Sequence, residues 1–316
     1  MKTNKQTTLR DDATVKGIGV HSGQPATLTL RPAEAGTGIV FIRTGLDGAP
    51  REVRADVRAV TATEFATVIG DTGGPICSTA EHVLAALSAL GVDNAIIEID
   101  GPEVPIMDGS ADAFVQAIDR AGIVTLDAPR QYIKVLRPVR VASADSLGEL
   151  RPNARGFRVE VEIDFDHPLV GHQSCGIDVT PASFRRELAR ARTFGFMKDV
   201  SKLWSAGYAL GATFENTLVI SDERVLNPDG VRFADEFVRH KALDAIGDLA
   251  LAGAPLLATY RSVRGGHKLN HAVLSALMAD PAAWTLVSAP AAAPRRRGSA
   301  ERAPALAPAA LRPDVS

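Results

Sequence analysis

The sequence predicts an α+β protein of two domains with similar topology, each a β-sheet with helices. Three observations carry this reading. The 316 residues suffice for two ordinary cores. Short β-branched runs punctuated by glycine alternate with segments of helical periodicity. A helix, strand, helix outline occurs twice, at 78–121 and at 235–279.

In chain order, 13–30, 37–43, 51–60 and 65–69 read as short strands of a β-rich region. STAEHVLAALSALG, from residue 78, opens with hydroxyl residues, carries apolar residues at helical spacing and stops at Gly91, so a helix of three to four turns is expected. NAIIEIDG reads as a buried strand, and Ser110 is expected to cap a second helix, SADAFVQAIDRAG. Residues 122–131, with Asp127, Ala128 and Pro129, form the candidate linker between domains 1–127 and 128–288. The second half has strands at 131–142 and 157–165 and a helix introduced by Thr180 and Pro181. An apolar insert follows near 194–212, then the strand TLVIS, a helix from 235 to the Gly253 stop, the strand PLLATYRSV and a helix near 269–279. From 289 the composition collapses to Ala, Pro and Arg, a tail expected to be disordered.

Composition narrows the function. With 35 basic and 37 acidic side chains and a formal charge of -2, nothing suggests a broad nucleic-acid footprint. The two cysteines, Cys77 and Cys175, cannot build a disulfide framework and fit reduced thiols of a cytoplasmic protein. MKTNKQTTLRDD has no apolar secretory core, and no apolar stretch is long enough to span a bilayer, so a soluble protein is expected.

The chemistry concentrates in RHKALDAIGD, where His240, Asp244 and Asp248 recur every four residues along one helix face. Imidazole and carboxylate are ordinary zinc ligands, and i, i+4 spacing lets two of them converge on one ion. A solvated polar stripe on an amphipathic helix fits the same residues. Glu81 and His82, at the start of the 78–90 helix, place a base beside a ligand. If His82 joins His240 and Asp244, the set leaves one tetrahedral position of zinc for water, as catalytic sites do. Glu81 also fits a capping box opened by Ser78. His267, glycine-flanked and just before a helix, suits a general acid or a charged stabiliser of an oxyanion, with Asp248 orienting it. His21, His167, His172 and His271 read as decoys. GIGVHSG reads as a tight turn near a site, since its glycines miss GxGxxG; Walker, HExxH and PCxxC motifs are absent.

Together KGIGVHSG, STAEHVLAAL, GPEVPIMDGSA, ARTFGF, LNPDGVRFADEFVRHKALDAIGDL and GGHKLN resemble the UDP-3-O-acyl-N-acetylglucosamine deacetylases, zinc enzymes of lipid A biosynthesis. The resemblance spans residues 6–288 and implies two like domains whose helices are sandwiched between two sheets, with the site at their junction. It implies zinc held by His82, His240 and Asp244, Glu81 as general base, and His267 as acid or electrostatic stabiliser with Asp248 behind it. It makes Thr193 a partner of the developing oxyanion, Lys241 and Phe194 substrate-binding residues, and the 194–212 insert an acyl-chain passage. The implied substrate is the small molecule UDP-3-O-acyl-N-acetylglucosamine, and a monomer is expected. Two alternatives share the residues: an amidohydrolase of another acylated sugar nucleotide, and a metal-stabilised binding protein without chemistry.

Overall fold

A computed structural model describes residues 4–46 and 48–289; the tail from 290 onward, expected to be disordered, lies outside them. In the first half, a five-stranded sheet runs in the order Ala13–Ile18, Pro25–Pro32, Ala95–Ile99, Ile39–Arg43, Arg51–Arg54. Its neighbours are antiparallel except the parallel 39–43 and 95–99 pair. A three-stranded sheet, Val60–Ala62, Val68–Asp71 and Gly74–Cys77, precedes helix α1, Glu81–Leu90. Helix α2, Asp112–Ala121, packs on the 13–18 strand and on α1.

The second half centres on a seven-stranded sheet. Its main path runs Val139–Ala142, Leu147–Pro152, Leu256–Val263, Gln131–Val135, Trp284–Ser288. Phe157–Asp164 joins the 256–263 strand in parallel and pairs His172–Asp178 antiparallel. Helix α3, Pro181–Ser183, opens on the expected Thr180 cap, whose hydroxyl accepts from Ser183 N at 3.1 Å. Within the insert, Phe194–Phe196 pairs in parallel with Leu218–Ile220, and a short helix α4 covers Val200–Ser205. Helix α5, Glu236–Ala250, packs on the 157–164 and 172–178 strands; helix α6, His267–Met278, lies beside it.

The central contact is α1 on α5, so the helices lie sandwiched between the two main sheets. Both helices are buried nearly all round, the state expected of a helix with sheets or helices on every side. Gly247 permits their approach: a Cβ there would stand 2.0 Å from the Glu81 carbonyl oxygen. A side chain at 247 would therefore force apart the two helices that carry the candidate ligands.

Several sequence expectations are corrected. The segment 122–131 is not a loose linker, because Ile123–Pro129 pairs antiparallel with Lys5–Leu9, and Pro129 falls at the strand end, where a missing N–H is tolerated. Helix α1 begins at Glu81, and its N-cap residue Ala80 makes no side-chain cap. The Ser78 capping box is absent because Ser78 forms a bridge with Glu103 instead. Helix α2 begins at Asp112 rather than at Ser110, though the Ser110 hydroxyl accepts from Asp112 N at 3.2 Å. His267 is the first residue of α6 rather than a loop residue before it.

Candidate active site

Polar side chains buried on α1 and α5 need partners, since an uncompensated charge inside a protein is costly. They find one another in two adjoining clusters. His82, His240 and Asp244 each offer a ligand atom, and these atoms lie within 4.8 Å of one another. His240 Nε2 is 3.3 Å and His82 Nε2 3.6 Å from Asp244 Oδ1. The two rings meet edge to face with centroids 5.0 Å apart. Asp244 Oδ1 is buried without a hydrogen-bond partner among the described residues, while Oδ2 accepts from Lys241 Nζ at 3.0 Å.

A bare carboxylate oxygen facing two imidazole nitrogens inside a protein fits a bound divalent cation. The protonation states agree. Burial pushes His240 down to about 4 despite the attraction of Asp244. Burial would raise Asp244, but His240 and Lys241 outweigh it and hold the carboxyl well below its ordinary range. A neutral imidazole and an ionised carboxylate are the ligating forms. His240 Nδ1 lies 3.1 Å from the Ala191 carbonyl oxygen, an arrangement that leaves Nε2 as the free lone pair.

The second cluster joins Glu81, Asp248 and His267. Asp248 Oδ2 is 2.9 Å from His267 Nδ1 and accepts from Asn270 Nδ2 at 2.8 Å; Oδ1 accepts from Thr67 Oγ1 at 2.5 Å. Glu81 Oε2 accepts from Thr67 N at 3.0 Å, and Oε1 lies 3.8 Å from His267 Nε2. Burial disfavours charge on His267, yet Asp248 and Glu81 overcome it and raise the ring to about 9. Burial raises Glu81 above the ordinary carboxylate value against the pull of His267 and His82. A proton acceptor thus sits beside a charged imidazole, and the clusters touch where His267 Nε2 comes within 4.0 Å of Asp244 Oδ2.

Thr193 and Phe194 follow Ala191, the residue whose carbonyl meets His240. Thr193 N donates to the Gly109 carbonyl and its own carbonyl accepts from Leu218 N, both at 2.8 Å, so it is fixed immediately before the short insert strand. Arg192 and Glu236 fix this segment. Both are buried, joined Nε to Oε1 at 2.9 Å and Nη2 to Oε2 at 3.1 Å, while Arg192 N donates to the same carboxylate at 3.0 Å. Glu236→Ala is therefore expected to cost about 3–5 kcal/mol, since it strands a buried guanidinium. Denaturant unfolding checks it, and a loss below about 1 kcal/mol contradicts the account. Phe194 sits amid Phe165, Phe196 and Phe237, with Lys241 Nζ 5.8 Å from its ring centroid.

Thr67 and Asn270 were not singled out from sequence, although Asn270 stands three residues after His267 in GGHKLN, one turn along α6. His21, read as a decoy, has its ring against Tyr208 at 5.4 Å and Phe65 at 6.4 Å; GIGVHSG had marked only a turn near a site. His172 pairs with Glu162 at 2.9 Å across neighbouring strands. His167 packs on Phe196, and His271 Nε2 lies 3.2 Å from the Val57 carbonyl. A cavity of about 280 Å³ lies against Leu87 and Leu249 and is lined by none of the clustered residues.

The family model described as UDP-3-O-acyl N-acetylglycosamine deacetylase matches residues 6–279. Proteins named UDP-3-O-acyl-N-acetylglucosamine deacetylase from Brucella ovis, Brucella canis and Brucella melitensis are each 51% identical over 286 residues, covering 90% of this chain and 99% of theirs.

Proposed function

Because the chain belongs to the UDP-3-O-acyl N-acetylglycosamine deacetylase family, an enzyme family of lipid A biosynthesis, we propose that it hydrolyses its substrate's N-acetyl group with zinc held by His82, His240 and Asp244. The substrate is UDP-3-O-acyl-N-acetylglucosamine and the products are the free amine and acetate. The observation that carries the metal assignment is the unpartnered Asp244 Oδ1 facing two imidazole nitrogens. When bound, zinc supplies a Lewis acid for the amide carbonyl and makes water acidic enough to lose a proton near neutral pH.

The chain's own groups do the rest. Glu81, raised by burial, accepts the water proton at its carboxylate. His267, held charged by Asp248 and Glu81, and the Thr193 hydroxyl stabilise the negative charge that develops on the carbonyl oxygen. Two protons are available to the leaving amine, the one Glu81 has taken and the one His267 carries. Lys241 and Phe194 bind the substrate. The insert supports an acyl passage, since Met197, Trp204 and Leu210 are about half exposed where a core would bury them.

Residues 1–127 and 128–288 form the two domains of this reading, working as a monomer in the cytoplasm with no nucleic-acid partner. Among the described residues no helix is long and apolar enough to cross a membrane. Acetate release tests the assignment. The 3-O-acylated nucleotide is expected to turn over at least about a hundredfold faster than UDP-N-acetylglucosamine, because each buried methylene contributes about 0.8 kcal/mol. A chelator abolishes release and zinc restores it. Equal turnover of the two nucleotides refutes the substrate, and chelator-resistant turnover refutes the metal.

A further inference from the structure

Glu103, in GPEVPIMDG, is 1% exposed and belongs to neither cluster. Its carboxylate gathers donors from two separate segments. On one side Thr79 Oγ1 donates to Oε1 at 2.7 Å. On the other, His21 N donates at 3.0 Å to Oε1 and Ser22 N at 2.7 Å to Oε2. Gly19 leaves room for this, since a Cβ there would fall 2.1 Å from Oε2.

Each segment leads to a working part of the enzyme. Thr79 stands two residues before Glu81 and has φ 57°, the left-handed region that a β-branched residue adopts only when its surroundings hold it there. The 19–23 turn seats the end of the insert: His21 O accepts from Leu210 N at 3.1 Å, Val20 O from Gly211 N at 3.0 Å, and the His21 ring meets Tyr208.

We propose that Glu103 is a positioning residue that couples the 208–211 end of the insert to the turn presenting Glu81 and His82, so that seating the insert and aligning the catalytic helix are one event. This rests on the deacetylase reading above. Carboxylate is the chemistry the position requires, because it accepts all three hydrogen bonds. An amide at 103 turns an N–H toward one of the donors.

The test uses metal-loaded Glu103→Gln, Thr79→Val and Thr79→Ser alongside the unaltered enzyme. Amide exchange reads the coupling without substrate: Glu103→Gln is expected to speed exchange at Leu210 and Gly211 about tenfold or more, as loss of a charge-assisted anchor implies. In acetate release, Thr79→Val lowers kcat about tenfold or more with KM and metal content unchanged, and Thr79→Ser restores kcat. Wild-type exchange at Leu210 and Gly211 in Glu103→Gln overturns the proposal, as does wild-type kcat in Thr79→Val. A lower Tm in all three variants with unaltered kcat and exchange assigns Glu103 a structural role only and also overturns it. If the unaltered enzyme releases no acetate, the deacetylase reading fails, while the exchange result still decides the coupling.

Discussion

Glu81→Gln is expected to keep a full complement of metal and to lose about 10²–10⁴-fold in kcat, the range a positioned general base contributes. Glutamine preserves the shape, and its carbonyl oxygen still accepts from Thr67 N, but it cannot take a proton. Glu81 lies outside the His82, His240, Asp244 set, so metal stoichiometry is unaffected. His240→Ala, by contrast, removes a ligand and lowers metal content, which separates a lost base from a lost ion. The pH profile adds a second readout. The acid limb of kcat/KM that Glu81 contributes disappears in Glu81→Gln. Acetate release and metal analysis on one preparation decide it. Undiminished turnover sinks the base assignment, and no acetate release from the unaltered protein favours a binding protein in which Glu81 is idle.

The helices and strands were legible wherever periodicity and punctuation agreed. α5 reads from its apolar spacing and the Gly253 stop, and the 95–99 strand from NAIIEIDG. What failed did so for local reasons with distant causes. Asp127, Ala128 and Pro129 carry turn chemistry, yet residues 5–9 recruit the segment as a strand partner. Ser78 and Glu81 match a capping box letter for letter; Glu103 and Thr67 claim these residues instead, and no window around residue 78 contains either. The four-residue rhythm of His240, Asp244 and Asp248 was visible, as was the pairing of Asp248 with His267 as a possibility. Glu103 and Glu236 were not, because a motif shows a carboxylate without showing that it is buried, and their importance comes from having no water to fall back on.

The second large effect concerns Asp248→Asn, for which kcat is expected to fall on the order of 10²–10⁴-fold with metal retained. Asp248 accepts from Thr67 Oγ1 and Asn270 Nδ2 and faces His267 Nδ1. Asparagine cannot satisfy all three, and it removes the charge that keeps the buried ring protonated. Burial alone would lower His267, so without Asp248 its midpoint drops from about 9, and the alkaline limb of kcat/KM moves to lower pH. In the loaded enzyme a cation in the adjoining cluster already draws that limb down, so metal-free protein gives the cleaner stability readout. There the raised value stabilises the fold fully below the unfolded midpoint of about 6.5 and fades as pH rises through about 9. Denaturant unfolding across pH should therefore find the stability gap between unaltered protein and Asp248→Asn widest near about pH 6 and narrower near about pH 10. A gap independent of pH would mean that Asp248 serves only as a hydrogen-bond acceptor for Thr67 and Asn270. His267 would then act as a neutral ring and bring no positive charge to the oxyanion.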